Sequence, residues 1–369
     1  MTSILADEHE ELRAAVRRFL TEKSPSDAVR RWMESDGGFD PDLWRLAAGQ
    51  LGLPGVAVSE EHGGAGGGPA ELAVVLEETG RALLPSPFFA TVALAGQALA
   101  ASGDDTAQAR WLPGIADGSL TATLAVTEES GSWQPEDVTT TAAGGTVTGT
   151  KMFVVDGDSA ALLLVVARTD AGLGLFAVEG DAPGVTRTRL DTLDLTRRLG
   201  RIDFDAAPAV PVGPAGDAVV RQALDLAVVA LAAEQVGGAQ ACLDAAVEYA
   251  TVRVQFGRPI GTFQAIKHKC ADMLLRVESA RSAARHAAAV AAGEPAELPM
   301  AAALAAAYCS DTYTYVAKEN LQVHGGIGYT WEHDAHLHLR RAKSSEQLFG
   351  APAAHRARVA ELAGFGGPW

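Results

Sequence analysis

The sequence is poor in cysteine, in aromatic side chains and in positive charge. Only 3 of its 369 residues are cysteine. Cys242, Cys270 and Cys309 are far apart and show no CxxC spacing. They read as reduced thiols, which suits a cytoplasmic protein and argues against a disulfide framework. Lys+Arg 30 against Asp+Glu 46 leaves a net charge of −16. Binding nucleic acid phosphates in bulk needs clustered cations, so no nucleic acid partner is expected. A phosphorylated cofactor is still possible, because backbone N–H groups and a few local arginines can hold one. No stretch of about 18 residues is free of charge and glycine, so no membrane span is expected. The opening segment carries Asp7, Glu8, Glu10, Glu11, Arg13, Arg17 and Arg18 and lacks the apolar centre of a signal peptide. No GxGxxG follows a strand-like run, which speaks against a nicotinamide Rossmann enzyme. Ser130, Ser132, Ser344 and Ser345 have no His–Asp pair arranged beside them, so a hydrolase is not expected.

What is present is a chain that is 48% hydrophobic and 21% charged, ample for a buried core of two or three layers. Residues 1–120 show helical spacing, as in Leu12, Val16 and Phe19, then Leu72, Val75, Leu76 and Leu83. Asp40 before Pro41 predicts a capped helix start. The HGGAGGG stretch at 62–68 is read as a loop, since no strand precedes it and no Lys-Ser/Thr follows. Residues 121–212 change character. Runs at 120–126, 146–149, 161–167 and 174–178 are short, rich in Val, Thr and Leu, and separated by Gly, Asp and Pro, which predicts a small antiparallel β-domain. Helical spacing returns over 213–369, through Leu224, Val228 and Leu231, then Val236, Leu243 and Val247. The alanine-rich run at 283–307 permits close helix packing. Gly364, Gly366, Gly367 and Pro368 predict a frayed tail. The expected class is α+β: helices, then a β-domain, then a helical bundle.

Four motifs carry chemistry. The first runs from Arg253 through Phe256, Gly257 and Gln264 to Asp272 and Met273. The second is Gln322-Val323-His324-Gly325-Gly326-Ile327-Gly328-Tyr329. The third is Thr127-Glu128-Glu129-Ser130-Gly131-Ser132, and the fourth is Gly149-Thr150-Lys151-Met152-Phe153-Val154-Val155-Asp156-Gly157. Together they resemble the acyl-CoA dehydrogenase family: its R-x-x-F-G…Q…DM segment, its Q-x-x-G-G-x-G loop, its T-E-P-x-x-G-S loop and its G-x-K-x-W-I-T-N-G strand. The resemblance covers roughly residues 5–358. It implies an N-terminal helical domain, a middle β-barrel or sandwich, a C-terminal four-helix bundle, and FAD as cofactor. By that resemblance Arg253, Phe256, Gln264, Gln322, Val323, Gly325 and Gly326 contact the FAD of a neighbouring subunit. Thr127, Gly131, Ser132, Phe153 and Val155 line its flavin end. Arginine suits the pyrophosphate because its planar fork donates two hydrogen bonds at once. Here Glu129 replaces the family's Pro, and the loop is one residue shorter. Phe153 replaces the common Trp, and Val155 the common Thr, which removes a hydroxyl donor near flavin N5.

The implied reaction is α,β-dehydrogenation of an acyl-CoA thioester, with a carboxylate as base and fixed donors on the thioester carbonyl. The family's usual Y-E-G base position is occupied by Phe349 before Gly350. Its alternative position, on the preceding long helix, falls at Ala227, and Val228 stands where many members have Arg. Glu234 lies two turns further on, about 10 Å along that helix. Glu346 lies three residues before Phe349. These two are the remaining candidate bases. His333, His336 and His338 do not share one helix or strand face, so no metal site is expected. Arg340 and Arg341 are expected at a helix surface or near cofactor phosphates. Three readings stay open: a partner subunit of an α2β2 heterotetramer, a homodimeric or homotetrameric dehydrogenase with a displaced base, and a flavoprotein of altered chemistry such as an oxidase or a binding module. An electron-transfer flavoprotein is the implied electron acceptor.

Overall fold

The computed structural model describes residues 2–365; Gly366, Gly367 and Pro368 of the expected tail lie outside them. The order is helices, strands, helices, as the hydrophobic periods predict. The N-terminal helices are α1 (Thr2–Lys23), α2 (Ser26–Met33), α3 (Pro41–Leu51) and α4 (Pro69–Arg81). A π-helix (Phe89–Gly96), α5 (Gln97–Ala100) and α6 (Asp105–Ala116) follow. The Asp40 cap is borne out: its carboxylate accepts from the N–H groups of Asp42 and Leu43, with Pro41 in the first turn. The 62–68 stretch joins a short 3-10 turn, Glu60–His62, to α4.

The strands are β1 (Ala122–Ala125), β2 (Thr141–Ala143), β3 (Thr146–Val155), β4 (Leu162–Thr169), β5 (Gly172–Glu179), β6 (Val185–Arg189), β7 (Leu199–Pro208) and β8 (Val210–Val212). They form one sheet in the order β6-β7-β3-β2-β4-β5-β8, with β1 parallel to β4. Most pairs are antiparallel, and Val147, Val154, Leu163, Val165, Val178, Ile202 and Phe204 fill its core. Periodicity alone suggests only the first part of β3, and the resemblance of the fourth motif supplies the rest. Its pairing with β7 slips between Lys151 and Val154, and such a bulge breaks the alternation that marks a strand.

After the sheet come α7 (Asp217–Val252), a hairpin of β9 (Val254–Gln255) and β10 (Arg258–Pro259), α8 (Gln264–Gly293), α9 (Leu298–His324), α10 (Ala335–Ser345) and α11 (Pro352–Leu362). α7 is long and apolar enough to cross a membrane, yet 89% of its most apolar window is buried within the protein. It is a core helix.

Contacts divide the chain into two compact units. One comprises residues 1–29, 73–84 and 228–369; the other comprises 30–72 and 85–227. In the first, Ala239, Cys242, Leu243, Met273, Val277, Tyr313 and Val316 form a core between α7, α8 and α9. α4 crosses α7 closely because of glycine: a Cβ at Gly237 would stand 1.7 Å from the Glu77 carbonyl oxygen. Buried charges tie α4 to α1 and α8. Glu77 pairs with Arg13 (2.6 Å) and Arg281 (2.8 Å), and Glu78 with Arg17 (2.7 Å).

Candidate active site

In the unit that contains most of α7, the first motif forms a helix end, a hairpin and a helix start. Gln255 pairs with Arg258 and Val254 with Pro259, leaving Phe256 and Gly257 as a two-residue loop. Both have positive φ, 52° and 78°, as the tight hairpin turn that matches strand twist requires. Asn or Gly is the comfortable choice for the first position; a phenylalanine there is strained. Its ring is also 93% exposed. Strain and exposure at one apolar residue point to a ring kept for something it binds. Arg258 lies over Phe263 at 4.3 Å, and Phe263 meets Phe256 edge-on at 6.1 Å. Arg253 and Gln264 are exposed on either side of the hairpin.

The second motif ends α9 beside this hairpin. His324 is buried between the rings of Tyr249 (4.3 Å) and His333 (4.2 Å), and its Nδ1 is 2.9 Å from the Asn320 carbonyl oxygen. Burial pulls its pKa below the ordinary value, outweighing that hydrogen bond. Tyr249 in turn accepts the Arg253 N–H at 2.9 Å. The structure therefore brings Arg253 and the 322–326 turn to one end of the bundle. Gln322 is exposed and Val323 is buried in the core. A Cβ placed at Gly325 or Gly326 would meet no atom within 4 Å, so open space lies beside bare backbone. An exposed ring, an exposed guanidinium and backbone that a ligand can approach suit a dinucleotide, and the residues fit FAD.

The other unit holds the third and fourth motifs. Thr127 donates its hydroxyl to the Ser132 carbonyl, and Gly131 (φ 72°) closes the turn with its N–H on the Glu128 carbonyl. Glu129, where the family has Pro, pairs with Arg201 at 2.9 Å. Phe153 is at φ 55° and 37% exposed, turned out of the sheet by the bulge. Val155 is buried, and its carbonyl accepts from the Thr123 hydroxyl at 2.6 Å. These residues form one loop-and-strand platform.

The candidate bases are both engaged. Glu234 is 5% exposed, with Oε1 3.0 Å from Arg341 Nη1. Arg341, expected at a helix surface or near cofactor phosphates, is 2% exposed; this corrects the surface alternative, and the reason is its ion pair with Glu234 on α7. Arg340 instead lies over the Trp331 ring at 5.1 Å. Glu346 caps α10, with Lys343 and the Thr314 hydroxyl (3.4 Å) on its carboxylate. Phe349 is buried at φ 59°, and Ala227 is fully buried.

Two family models match the chain: acyl-CoA dehydrogenase N-terminal domain over residues 6–119 and acyl-CoA dehydrogenase C-terminal domain over residues 215–363. The chain belongs to the acyl-CoA dehydrogenase family. It is 38% identical over 346 residues, 94% of each chain, to acyl-CoA dehydrogenase IpdE2 of Mycobacterium tuberculosis. Its fold is similar to that of the Tcur3481-Tcur3483 steroid ACAD variant, with a TM-score of 0.90, 34% identity and coverage of 98% of this chain and 99% of that one. It is also similar to the ChsE4-ChsE5 complex from Mycobacterium tuberculosis, with a TM-score of 0.89, 30% identity and 98% coverage of both. As a member of the acyl-CoA dehydrogenase family the protein is an FAD-dependent oxidoreductase acting on CH–CH groups of acyl-CoA thioesters.

Proposed function

We propose that this chain works in a heteromeric acyl-CoA dehydrogenase, in which a companion chain of the same family supplies the base. Bound FAD supplies the acceptor for the substrate's β-hydride. In this reading Arg253, Phe256, Gln264 and the 322–326 turn grip the dinucleotide of a neighbouring chain. Thr127, Gly131, Ser132 and Phe153 of this chain flank its own flavin, and Val155 offers that ring an apolar neighbour. The observation that carries the reading is Phe349. A buried phenyl ring in the left-handed region stands where the resemblance puts the carboxylate, and it takes no proton. Ala227 offers none either. Glu234 is held by Arg341 and Glu346 by Lys343, so both carboxylates have structural partners. The likeness to a steroid ACAD and to a two-component complex favours a bulky acyl group and a second subunit. Electrons would then pass to an electron-transfer flavoprotein.

The test is flavin content. Expressed alone, the chain is expected to carry little FAD; co-expressed with a companion that has Glu at the Phe349 position, it is expected to carry a full complement. Full flavination alone, with a competent acyl-CoA bleaching the flavin, would point to a displaced base within this chain.

A further inference from the structure

Glu128 and Lys151 lie inside the third and fourth motifs without a role assigned to either. Lys151 is fully buried, and its Nζ donates to the Val126 carbonyl at 2.7 Å and to Glu128 Oε1 at 2.8 Å. Glu128 Oε1 also accepts the Thr140 N–H at 2.8 Å; Oε2 accepts the Thr139 N–H at 2.9 Å and the Thr139 hydroxyl. The Thr127 carbonyl accepts the Met152 N–H at 2.9 Å. Three consecutive residues, 126 to 128, are thus tied to β3 or to the approach to β2. Thr127 sits between two ties made by a single ammonium group. Lys151 is the residue at which the bulge opens, two places before Phe153.

We propose that the Lys151–Glu128 pair is a positioning element that sets the 127–132 loop against Phe153 and so fixes the two surfaces between which the flavin ring lies. The inference rests on the FAD reading above. The geometric argument is that both surfaces hang on one pair. The loop's turn begins at the Glu128 carbonyl, which accepts from Gly131, and the strand's bulge begins at Lys151. Moving either partner moves a loop wall and an aromatic wall relative to each other. The role requires the directed hydrogen bonds that the pair makes to the Val126 carbonyl and accepts from the Thr139 and Thr140 N–H groups. A buried ion pair that merely stabilises can be exchanged for apolar side chains of similar volume with little loss of stability. A pair that positions leaves its two surfaces displaced when it is exchanged, even where the fold survives.

The experiment separates these. The double variant Lys151→Met with Glu128→Leu removes both charges, and its melting temperature is compared with that of the wild type. FAD is then titrated into the deflavinated proteins, each assembled with its companion chain. The expected result is a cooperative melt at a lowered temperature, an FAD dissociation constant raised about tenfold or more, and a visible absorption and circular-dichroism band shape unlike that of the wild-type flavin. Wild-type affinity together with a wild-type band shape would overturn the proposal. Thr139→Val keeps the ion pair and removes one hydrogen bond to Glu128, and it decides the matter where the double variant does not fold. A smaller change in the same two readouts supports the proposal, and unchanged readouts overturn it. Wild-type protein that binds no FAD, alone or with its companion chain, would overturn the FAD reading itself and this inference with it.

Discussion

Tyr249 and His324 stack with ring centroids 4.3 Å apart, and through them the last turn of α7 holds the glycine turn that ends α9. Arg253 follows at once, its N–H bonded to the Tyr249 carbonyl. Loss of the His324 ring is therefore expected to loosen the arrangement of Arg253 and the 322–326 turn. An aromatic pair contributes about 0.5–1.5 kcal/mol beyond its buried area, so His324→Ala should weaken FAD binding roughly two- to twelvefold. His324→Phe keeps a ring in the stack and should bind nearly as the wild type does. Calorimetric titration of FAD into each deflavinated chain, assembled with its companion, checks both.

Phe256 offers a test in which stability and binding move in opposite directions. Asn is at ease in the left-handed region where Phe is strained, so Phe256→Asn should leave the melting temperature equal or higher. The lost ring should still cost FAD affinity by about tenfold or more, on the scale of base–aromatic stacking. Equal affinity in the variant would remove Phe256 from the cofactor site.

Glu234→Gln distinguishes a structural carboxylate from a base. Removing the negative charge beside buried Arg341 should cost about 1–3 kcal/mol, read as a lowered urea midpoint. The folded fraction, assembled with its companion chain, should reduce its flavin with acyl-CoA at the wild-type rate. A stable variant that no longer reduces its flavin would make Glu234 the base.

The Glu128 carboxyl gives a pH prediction. Burial tends to raise its pKa, but hydrogen bonds from Lys151, Thr139 and the Thr140 N–H outweigh burial and bring it down to about 2. Burial likewise lowers Lys151 to about 8, against the opposing pull of Glu128. A carboxyl with a depressed folded pKa stabilises the fold above its unfolded value of 4.5. That contribution, of order 2–3 kcal/mol, is lost as pH falls from 4.5 towards 2. Urea midpoints across this range should fall less steeply in Thr139→Val than in the wild type.

Local rules made much of this chain legible. Asp40 and Pro41 mark the start of α3, the hydrophobic periods separate strands from helices, and the Arg253 motif already implies a turn between two helices. What sequence did not reveal depends on contacts distant along the chain. Arg341, among histidines and a second arginine, reads as a helix-surface or phosphate-facing residue; its burial follows from Glu234, 107 positions away. Glu128 and Lys151 both stood in recognised motifs, but their pairing needs the fold of three strands. The strain at Phe256 could have been suspected, since two residues with glycine second suit a tight hairpin. Periodicity marks only the start of β3 because its bulge interrupts the alternation.

The most direct test of the account is anaerobic flavin bleaching by an acyl-CoA thioester, followed for this chain alone, for the companion chain alone and for the two mixed. The account predicts rapid bleaching of the mixture, abolished when the companion's base is changed to Gln and unaffected by Glu346→Gln in this chain. Bleaching by this chain alone, at the rate of the mixture, would contradict it.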